Sequence, residues 1–211
     1  MKRRAVLVAL EGIDGAGKTT LIRPLAAALR RRGLRVILRR EPTDPALGQL
    51  AQRTSVRDPW SGAVYFMLDR FLARPALEHD LGRADVVITD RSVYSTLAYQ
   101  GSALPTAALR RLEELAPRAT VVPDRVILLD LSPKDALRRL GRRGRIRGPL
   151  ERRRTLTRVA RRYRRLARQG RWRVVAAGRP TRELVASIVA DLVETIPPLS
   201  AHRRGPRRQR T

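Results

Sequence analysis

The sequence predicts an α/β protein in which a parallel sheet is covered by helices on both faces. Two observations carry this prediction. Short runs rich in β-branched residues alternate from end to end with longer stretches that have helical spacing. A glycine-rich turn joins the first apolar run to the first helical stretch. In folds of this kind, ligands bind at the carboxyl ends of the strands.

Each predicted strand is short, apolar and rich in β-branched residues. The strands are residues 5–10, 36–38, 86–89, 126–129 and 174–176. Helical spacing predicts helices over residues 25–32, 47–52, 64–81, 107–115, 133–140, 152–169 and 182–194. No internal repeat is evident, so we expect one domain over residues 1–196. Residues 197–211 are dominated by Arg, Gly and Pro, and we expect a basic, disordered tail there.

The turn after the first strand carries the strongest motif in the chain. Residues 11–20 read EGIDGAGKTT, and residues 12–19 fit G-x-x-x-x-G-K-[ST], the phosphate-binding loop or P-loop. Backbone N–H groups of such a loop surround a polyphosphate, and the following helix adds its N-terminal partial positive charge. The predicted nucleotide-binding residues are Gly12, Ile13, Asp14, Gly15, Ala16, Gly17, Lys18, Thr19 and Thr20.

Two side chains of this loop have further predicted roles. Lys18 can reach the outer phosphates, and the Thr19 hydroxyl can ligate Mg²⁺. A glycine-rich turn before a helix also arises by chance, but strand, loop and helix follow one another here in the order that the motif requires. The loop therefore predicts a nucleoside triphosphate site.

The chain is extremely basic. It carries 46 Lys and Arg residues against 19 Asp and Glu residues, a formal net charge of +27. Such a charge favours anionic partners, including nucleotides, phosphates and nucleic acid. Biased genome composition is the alternative, because the excess is almost entirely arginine and the only lysines are Lys2, Lys18 and Lys134. A lysine kept at position 18 in this background supports its role in the loop.

Composition also excludes several kinds of site. The absence of Cys excludes disulfides, thiolate catalysis and Cys-ligated metal. His79 and His202 are the only histidines, which is too few for a histidine metal cluster. No stretch approaches the apolar length of a membrane span, and residues 1–4 do not open a signal peptide. We therefore expect a cytoplasmic protein without membrane contact.

Two residue pairs are placed where a nucleotide could be held. Phe66 and Arg70 are four residues apart on one helical face, so they can stack on a base and hydrogen-bond its edge. A core phenylalanine beside a solvated arginine is the alternative. Asp90 and Arg91 end the third strand, where Asp90 can hold magnesium-bound water and Arg91 can bind a phosphate. A simple ion pair between them is equally consistent with the sequence.

The segment after Arg91 contains Tyr94, Thr96, Tyr99 and Gln100 before a glycine stop at Gly101. Tyrosine and glutamine side chains can recognise a sugar or the edge of a base. Tyrosines are as often half-buried packing residues, so this segment alone does not decide between the two roles.

Residues 138–150 break the helical pattern with three glycines and a proline, and they include six arginines within ten residues. These cations repel one another unless an anion lies between them. We expect a lid that closes over phosphates, with Arg142, Arg143 and Arg145 as catalytic residues. A solvated basic loop is the alternative.

The order of these motifs resembles the thymidylate kinase family, which phosphorylates dTMP. EGIDGAGKTT matches the P-loop form of the family. REPTD at 40–44, FMLDR at 66–70 and VITDRSVYSTLAYQG at 87–101 resemble its other motifs, the first in an archaeal-like version. The resemblance runs from about Val6 to Leu192 and implies a P-loop kinase fold with a five-stranded parallel sheet. It also implies a homodimer, with ATP and Mg²⁺ acting on dTMP.

The resemblance implies roles at the sugar and phosphate of dTMP. Asp14 would contact the 3′-hydroxyl, and Arg40 and Arg91 would hold the acceptor phosphate. Tyr99 would lie against the deoxyribose and disfavour a 2′-hydroxyl. Asp90 would order the waters of the metal bound at Thr19.

At the base, the resemblance implies that Phe66 stacks on thymine while Arg70 contacts its O4 atom. Thr96 and Gln100 occupy positions where the family contacts the base, and Tyr163 matches a tyrosine of the helix after the lid. The sequence departs from the family pattern at two places. Ser92 stands where the family usually has an aromatic residue, and Ala176-Ala177-Gly178 stands where an Asp-Ala pair is usual.

Phosphoryl transfer to a 5′-monophosphate needs little acid–base catalysis, because the attacking oxygen is already ionised. Positioning and electrostatics dominate, which suits a site rich in cations. The resemblance implies an arginine that stabilises the transition state, and because position 15 of the loop is glycine, the lid would supply it, as in family members with a lid arginine. Two other functions stay open: a kinase with a different acceptor, and a basic P-loop ATPase that binds nucleic acid. The tail would make non-specific contact with nucleic acid in either case.

Overall fold

A computed structural model of the chain describes residues 4–142, 144, 150 and 152–195. Within these ranges, five strands form one sheet in which all neighbours are parallel. The strands are β1 (Val6–Glu11), β2 (Val36–Arg40), β3 (Val86–Asp90), β4 (Arg125–Asp130) and β5 (Arg173–Ala176). Their order is β2-β3-β1-β4-β5, with β1 at the centre. The predicted five-stranded parallel sheet is confirmed.

Helices flank this sheet. They are α1 (Lys18–Arg30), α2 (Pro45–Arg57), α3 (Pro59–Arg83), α4 (Val93–Tyr99), α5 (Thr106–Leu115), α6 (Pro133–Arg142), α7 (Arg153–Gln169) and α8 (Thr181–Thr195). Short 3-10 helices follow α4 and α5, at Gly101–Ala103 and Ala116–Ala119. Helix α1 packs on α8, α2 on α3, and α4 on α7.

The central strands are buried on both faces, as expected for a parallel sheet between helix layers. Leu7 and Val87 pack with Leu77 and Leu81 of α3. The next residue of β1, Val8, points to the opposite face and belongs to the larger cluster. Leu10 of β1 pairs in register with Asp90 of β3, so the carboxyl ends of these two strands lie side by side. The phosphate loop and Arg91 both leave the sheet at this edge.

Helices α2 and α3 are longer than the spacing of apolar residues predicts. Each begins with an Asp-Pro pair in which the aspartate caps the helix and the proline takes the first position. Asp44 Oδ1 accepts from the N–H of Ala46 at 2.7 Å, and Asp58 Oδ1 accepts from that of Trp60 at 3.0 Å. The prediction of a short helix over residues 47–52 was therefore wrong in its bounds, because the apolar pattern does not register these caps.

Two predicted segments, the tail and the lid, lie wholly or partly outside the residues that the structure describes. The tail at 197–211 lies outside the described residues, as do residues 143, 145–149 and 151 in and beside the expected lid. In the ranges that the structure covers, no helix combines the length and apolar character that crossing a membrane requires.

Candidate active site

The phosphate loop connects β1 to the first turn of α1. Gly12 and Gly15 have φ angles of 143° and 83°, which L side chains rarely adopt. A Cβ atom at Gly12 would lie 2.6 Å from the carbonyl oxygen of Leu129, and one at Gly15 would lie 2.7 Å from that of Ala136. The close approach of the loop to β4 and α6 therefore requires glycine at both positions.

Lys18 begins α1 and turns back over the loop. Its Nζ atom donates hydrogen bonds to the carbonyl oxygens of Gly12, at 2.7 Å, and Ile13, at 3.1 Å. Burial, aided by the positive charge of Arg91, lowers the pKa of Lys18 to about 8. A phosphate would be a stronger partner than the two carbonyls, because it carries full negative charge. The ammonium is thus held within the loop at the position where the motif predicts a polyphosphate.

Thr19 links the loop to the end of β3. Its Oγ1 donates a 2.7 Å hydrogen bond to Oδ2 of Asp90, a buried carboxylate. A hydroxyl and a carboxylate are the hard oxygen donors that Mg²⁺ accepts, and Mg²⁺ keeps much of its water when only one or two protein oxygens bind it. The pair therefore fits the ion predicted from the sequence. Among the described residues, no group of three or more acidic or histidine side chains competes as a metal site.

Arg91 leaves β3 with a φ of 78°, an uncommon conformation for a residue other than glycine. Its N–H donates to the carbonyl oxygen of Leu10 at 3.1 Å, which fixes the turn on β1. The guanidinium pairs with the carboxylate of Asp14, and its Nη1 donates to Ser95 Oγ at 3.1 Å. Asp90 and Arg91 thus bond to different partners, Thr19 and Asp14, and the simple ion pair considered from the sequence is not what the structure contains.

Tyr99 completes the contacts of Asp14. The Tyr99 hydroxyl donates to Asp14 Oδ2 at 2.9 Å, and it accepts from the backbone N–H of Asp14 at 2.8 Å. The guanidinium carbon of Arg91 lies 5.3 Å from the centre of the Tyr99 ring, within cation–π range. Burial alone would raise the pKa of Asp14, but Arg91 and Lys18 outweigh it, so this pKa lies below its usual value.

A cavity of about 450 Å³ opens beside the phosphate loop. The predicted acceptor-binding residues that line it are Asp14, Arg40, Phe66, Arg70, Arg91, Thr96, Tyr99 and Gln100. Tyr163 is missing from the lining. The structure also adds one wall from α2, formed by Gln52, Arg53 and Val56, which sequence reasoning did not identify. We call this space the acceptor cavity.

Arg70 is buried at the back of the acceptor cavity, so the solvated arginine considered from the sequence is wrong. Its Nε donates to Glu41 Oε2 at 2.7 Å, its Nη1 to Thr96 Oγ1 at 2.8 Å, and its Nη2 to the carbonyl oxygen of Ser92 at 2.8 Å. These bonds fix the guanidinium plane. Burial raises the pKa of Glu41 even though Arg70 opposes the shift. Phe66, one helical turn earlier, is half-buried at the cavity wall.

Tyr163 lies behind the cavity and joins a buried network that the sequence did not reveal. The carboxylate of Glu11 accepts hydrogen bonds from Ser92 Oγ and Ser95 Oγ, both at 2.7 Å, and from the Tyr163 hydroxyl at 2.8 Å. Tyr163 also packs edge-on against Tyr99, with ring centres 6.3 Å apart. The network therefore supports two cavity residues, Tyr99 and Arg91, the latter through Ser95.

Ser92 takes a definite place in this network. Besides donating to Glu11, its Oγ accepts from the N–H of Tyr94 at 3.3 Å and caps α4. An aromatic residue at this position has no hydroxyl on Cβ and could make neither bond. Ser92, which departs from the family pattern, therefore caps a helix and donates a hydrogen bond to a buried carboxylate.

Asp69 is a further residue that sequence reasoning missed. Its carboxylate accepts from the backbone N–H groups of Thr43, at 3.0 Å, and Asp44, at 2.7 Å. It thereby holds the segment after β2 that carries Glu41 and Pro42 into the cavity wall. Its spacing, next to Arg70 in the motif, was the only signal in the sequence.

A second cavity, of about 290 Å³, lies on the other side of the phosphate loop. Its lining includes Gly15, Gly17 and Thr20 of the loop together with Arg139 and Arg142 of α6. Arg139 Nη2 donates to the carbonyl oxygen of Ala177 at 2.9 Å, which joins α6 to the turn after β5. Sequence reasoning did not single out Arg139.

Of the predicted lid arginines, the structure places Arg142 at this second cavity. Arg143 and Arg145 lie outside the described residues. We call this second space the donor cavity, because the phosphate loop forms its floor.

Comparison with known proteins gives one family. Residues 10–188 match the family model described as thymidylate kinase. The chain is 42% identical over 147 residues to a thymidylate kinase of Xanthomonas campestris pv. campestris, covering 66% of this chain and 62% of that protein, less than two thirds of its length. It is 36% identical over 191 residues to a probable thymidylate kinase of Pyrobaculum calidifontis, covering 88% of this chain and 94% of that protein.

Proposed function

Because the chain belongs to the thymidylate kinase family, we propose that it transfers the γ-phosphoryl group of ATP to dTMP, forming dTDP and ADP for dTTP synthesis. One observation carries the proposal. Asp14 lies inside the phosphate loop and also lines the acceptor cavity, where it pairs with Arg91. A triphosphate on the loop and a monophosphate at Arg91 would therefore be neighbours, as direct transfer between two nucleotides requires.

In the proposed reaction, an oxygen of the acceptor phosphate attacks the γ-phosphorus while the bond from that phosphorus to the β–γ bridging oxygen breaks. The attacking oxygen is already ionised, so no general base is needed. Arg91 and Arg40 would hold the acceptor phosphate. Lys18 and Arg142 would offset charge on the donor, as would Arg143 and Arg145 of the lid.

Thr19 and Asp90 would hold Mg²⁺, Thr19 directly and Asp90 through ordered water. When bound, the ion neutralises charge on the β- and γ-phosphate oxygens. The protein's own contribution is the 2.7 Å Thr19–Asp90 bond, which keeps both oxygens at the end of β3, beside the loop.

The same cavity suits a deoxynucleotide with a flat base. Phe66 would stack on the ring, and Asp14 would accept a hydrogen bond from the 3′-hydroxyl. Tyr99 would lie against the deoxyribose, where a 2′-hydroxyl would crowd it. Arg70, already fixed by Glu41 and Thr96, would direct a remaining N–H towards an exocyclic carbonyl such as O4.

We further propose that the protein is a homodimer formed through α3. Val64, Leu68, Phe71 and Leu72 lie at spacings of four, three and one along this helix and are all exposed. The exposed fractions of Phe71 and Leu72 are 62% and 61%, unusual for large apolar side chains. A symmetric contact would bury this stripe against its own copy.

We also propose a cytoplasmic location, which fits ATP and dTMP as substrates. The tail at 197–211 would retain nucleic acid non-specifically through its arginines. Deleting residues 202–211 should leave phosphoryl transfer unchanged and weaken retention on a DNA column at low salt. A large loss of transfer would contradict this separation of roles.

A coupled assay of ADP release against a panel of nucleoside and deoxynucleoside monophosphates tests the proposed function. Preferential turnover of dTMP supports it, and equal or absent turnover of dTMP overturns it. Preference for another monophosphate would identify a kinase with a different acceptor. ATP hydrolysis that needs DNA and no acceptor would instead identify a nucleic-acid-dependent ATPase.

A further inference from the structure

Ser55 lies on α2 just behind the acceptor cavity. Its side chain is buried at the crossing of α2 and α3, against Gly62. A Cβ atom at Gly62 would lie only 2.0 Å from Ser55 Oγ, so the absence of a side chain on α3 is what makes room for this hydroxyl. The crossing therefore holds the Oγ atom in one place.

The direction of the hydrogen bonds at Ser55 fixes the amide of Gln100. Ser55 Oγ donates its single proton to the carbonyl oxygen of Ala51 at 2.6 Å. It can then only accept from Gln100, whose Nε2 donates to it at 3.0 Å. A flipped amide would bring Oε1 against Oγ, and Ser55 could then bridge the two oxygens only by withdrawing its proton from the carbonyl of Ala51. The buried amide is consequently held with its nitrogen towards α2.

With the nitrogen held, the oxygen of Gln100 remains as the acceptor that this amide offers to the cavity it lines. Arg70, which also lines this cavity, offers only N–H donors. A base that meets both residues needs a ring N–H for Gln100 and a carbonyl oxygen for Arg70. Thymine and uracil present this pair at N3 and O4, whereas cytosine presents a bare ring nitrogen and an amino group.

We propose that Ser55 is a specificity-determining, positioning residue: it orients Gln100 so that the acceptor cavity selects bases with an imide N–H over cytosine. Ser55 acts through Gln100 and does not touch the substrate. The inference rests on the proposed function, since it concerns the base of the same acceptor.

The test compares the wild type with Ser55→Ala. For each protein, we would measure kcat/KM for dTMP and the inhibition constant of dCMP against dTMP. Without the hydroxyl, the amide can adopt both orientations, so dTMP should lose about tenfold in kcat/KM while dCMP binds more tightly. The ratio of dCMP to dTMP affinity should therefore shift by about tenfold or more.

Thr54→Ala, one residue earlier on α2, is the matched control. It removes a hydroxyl from the same helix that makes no hydrogen bond to Gln100, and it should leave the ratio unchanged. A purely structural role of Ser55 would weaken dTMP and dCMP alike. An unchanged ratio in Ser55→Ala would overturn the inference. If the wild type does not prefer dTMP at all, the proposed function fails instead, which the wild-type data alone reveal.

Loss of turnover in Ser55→Ala would still leave a readout. Calorimetric binding of dTMP and dCMP gives the same ratio without catalysis, and binding of ADP to the phosphate loop shows whether the variant is folded. Retained ADP binding with a collapsed preference for dTMP supports the inference. Retained ADP binding with an intact preference contradicts it.

Discussion

The carboxylate of Asp14 pairs with the guanidinium of Arg91, and this contact joins the phosphate loop to the acceptor cavity. Asp14 reaches it from the loop after β1, and Arg91 reaches it from the turn after β3. Their strands are paired in the sheet, so the contact is a direct result of topology. A bound acceptor phosphate would share Arg91 with Asp14. The pair would therefore couple occupancy of the acceptor cavity to the phosphate loop.

The Asp14 contact predicts sensitivity to the 3′-hydroxyl of the substrate. In Asp14→Asn, kcat/KM for dTMP should fall by about tenfold or more, because a charge-assisted hydrogen bond becomes a neutral one. The 3′-deoxy analogue never makes this bond, so it should lose less, and only through the weakened pair between Asp14 and Arg91. Tyr99→Phe keeps the carboxylate and should retain the preference for the 3′-hydroxyl. Equal losses with both substrates in Asp14→Asn would contradict the assigned role.

The lowered pKa of Lys18 predicts a pH dependence of nucleotide binding. Its pKa of about 8 means that the free protein loses this charge above pH 8, while a bound phosphate favours the ammonium. Binding of ADP should therefore take up a proton above that pH, and affinity should fall by up to about tenfold per pH unit. Calorimetry at pH 7, 8 and 9 in two buffers of different ionisation enthalpy measures the uptake.

Lys18→Arg provides the control for this effect, since a guanidinium stays charged throughout the range. Whatever its affinity, this variant should show no proton uptake linked to position 18. Proton uptake that persists in Lys18→Arg would assign the linkage to another group.

The bond between Ser92 and Glu11 predicts a difference between two helix caps. Ser92→Ala removes both the cap of α4 and a hydrogen bond to a fully buried carboxylate. We expect it to lower the free energy of unfolding by about 2–3 kcal/mol. Ser132→Ala removes the exposed cap at the start of α6, where Oγ accepts from the N–H of Asp135 at 3.1 Å and donates to its exposed carboxylate at 2.7 Å, and should cost about 1 kcal/mol. Urea unfolding measures both, and equal losses would show that the Glu11 bond adds nothing.

The exposed stripe on α3 predicts the oligomeric state. Phe71→Glu should convert a dimer to a monomer, because it would place a charge at the centre of the proposed contact. Val174→Glu changes another exposed apolar residue, on β5, and should leave the molecular mass of the assembly in solution unchanged. Sedimentation equilibrium distinguishes the two. A monomeric wild type, or a dimer that survives Phe71→Glu, would reject this face.

Local signals in the sequence were enough for the sheet and the phosphate loop, whereas most residues of the acceptor cavity were predicted through the family resemblance. Each strand is an apolar run, and the glycines of the loop form a motif that depends on neighbouring residues alone. Phe66, Arg70 and Gln100 were placed through motifs whose spacing fits one helix face or one turn. These strands, the loop and the helical spacings depend on neighbouring residues, and the structure contains them.

The residues that were missed depend on long-range contacts. Glu11 was missed because its partner Tyr163, itself a predicted site residue, is 152 positions away, and only the fold brings their oxygens within hydrogen-bond distance. Ser55 reaches Gln100 across 45 positions. Neither pair leaves a pattern in the sequence, because a buried hydrogen bond needs one correct atom in one place. The same holds for Arg139, whose partner Ala177 follows β5.

The hydrogen bonds of Lys18 to its own loop bear on how fast a nucleotide could exchange there. The ammonium bonds to the carbonyls of Gly12 and Ile13, and these bonds hold the loop in one shape. An incoming nucleotide would replace the two carbonyls as the partner of Lys18. Because the loop is already ordered, binding would cost little conformational entropy. Release of a nucleotide would be eased in the same way, because the lysine can bond again to the same two carbonyls. A self-bonded loop of this kind favours rapid exchange over tight retention.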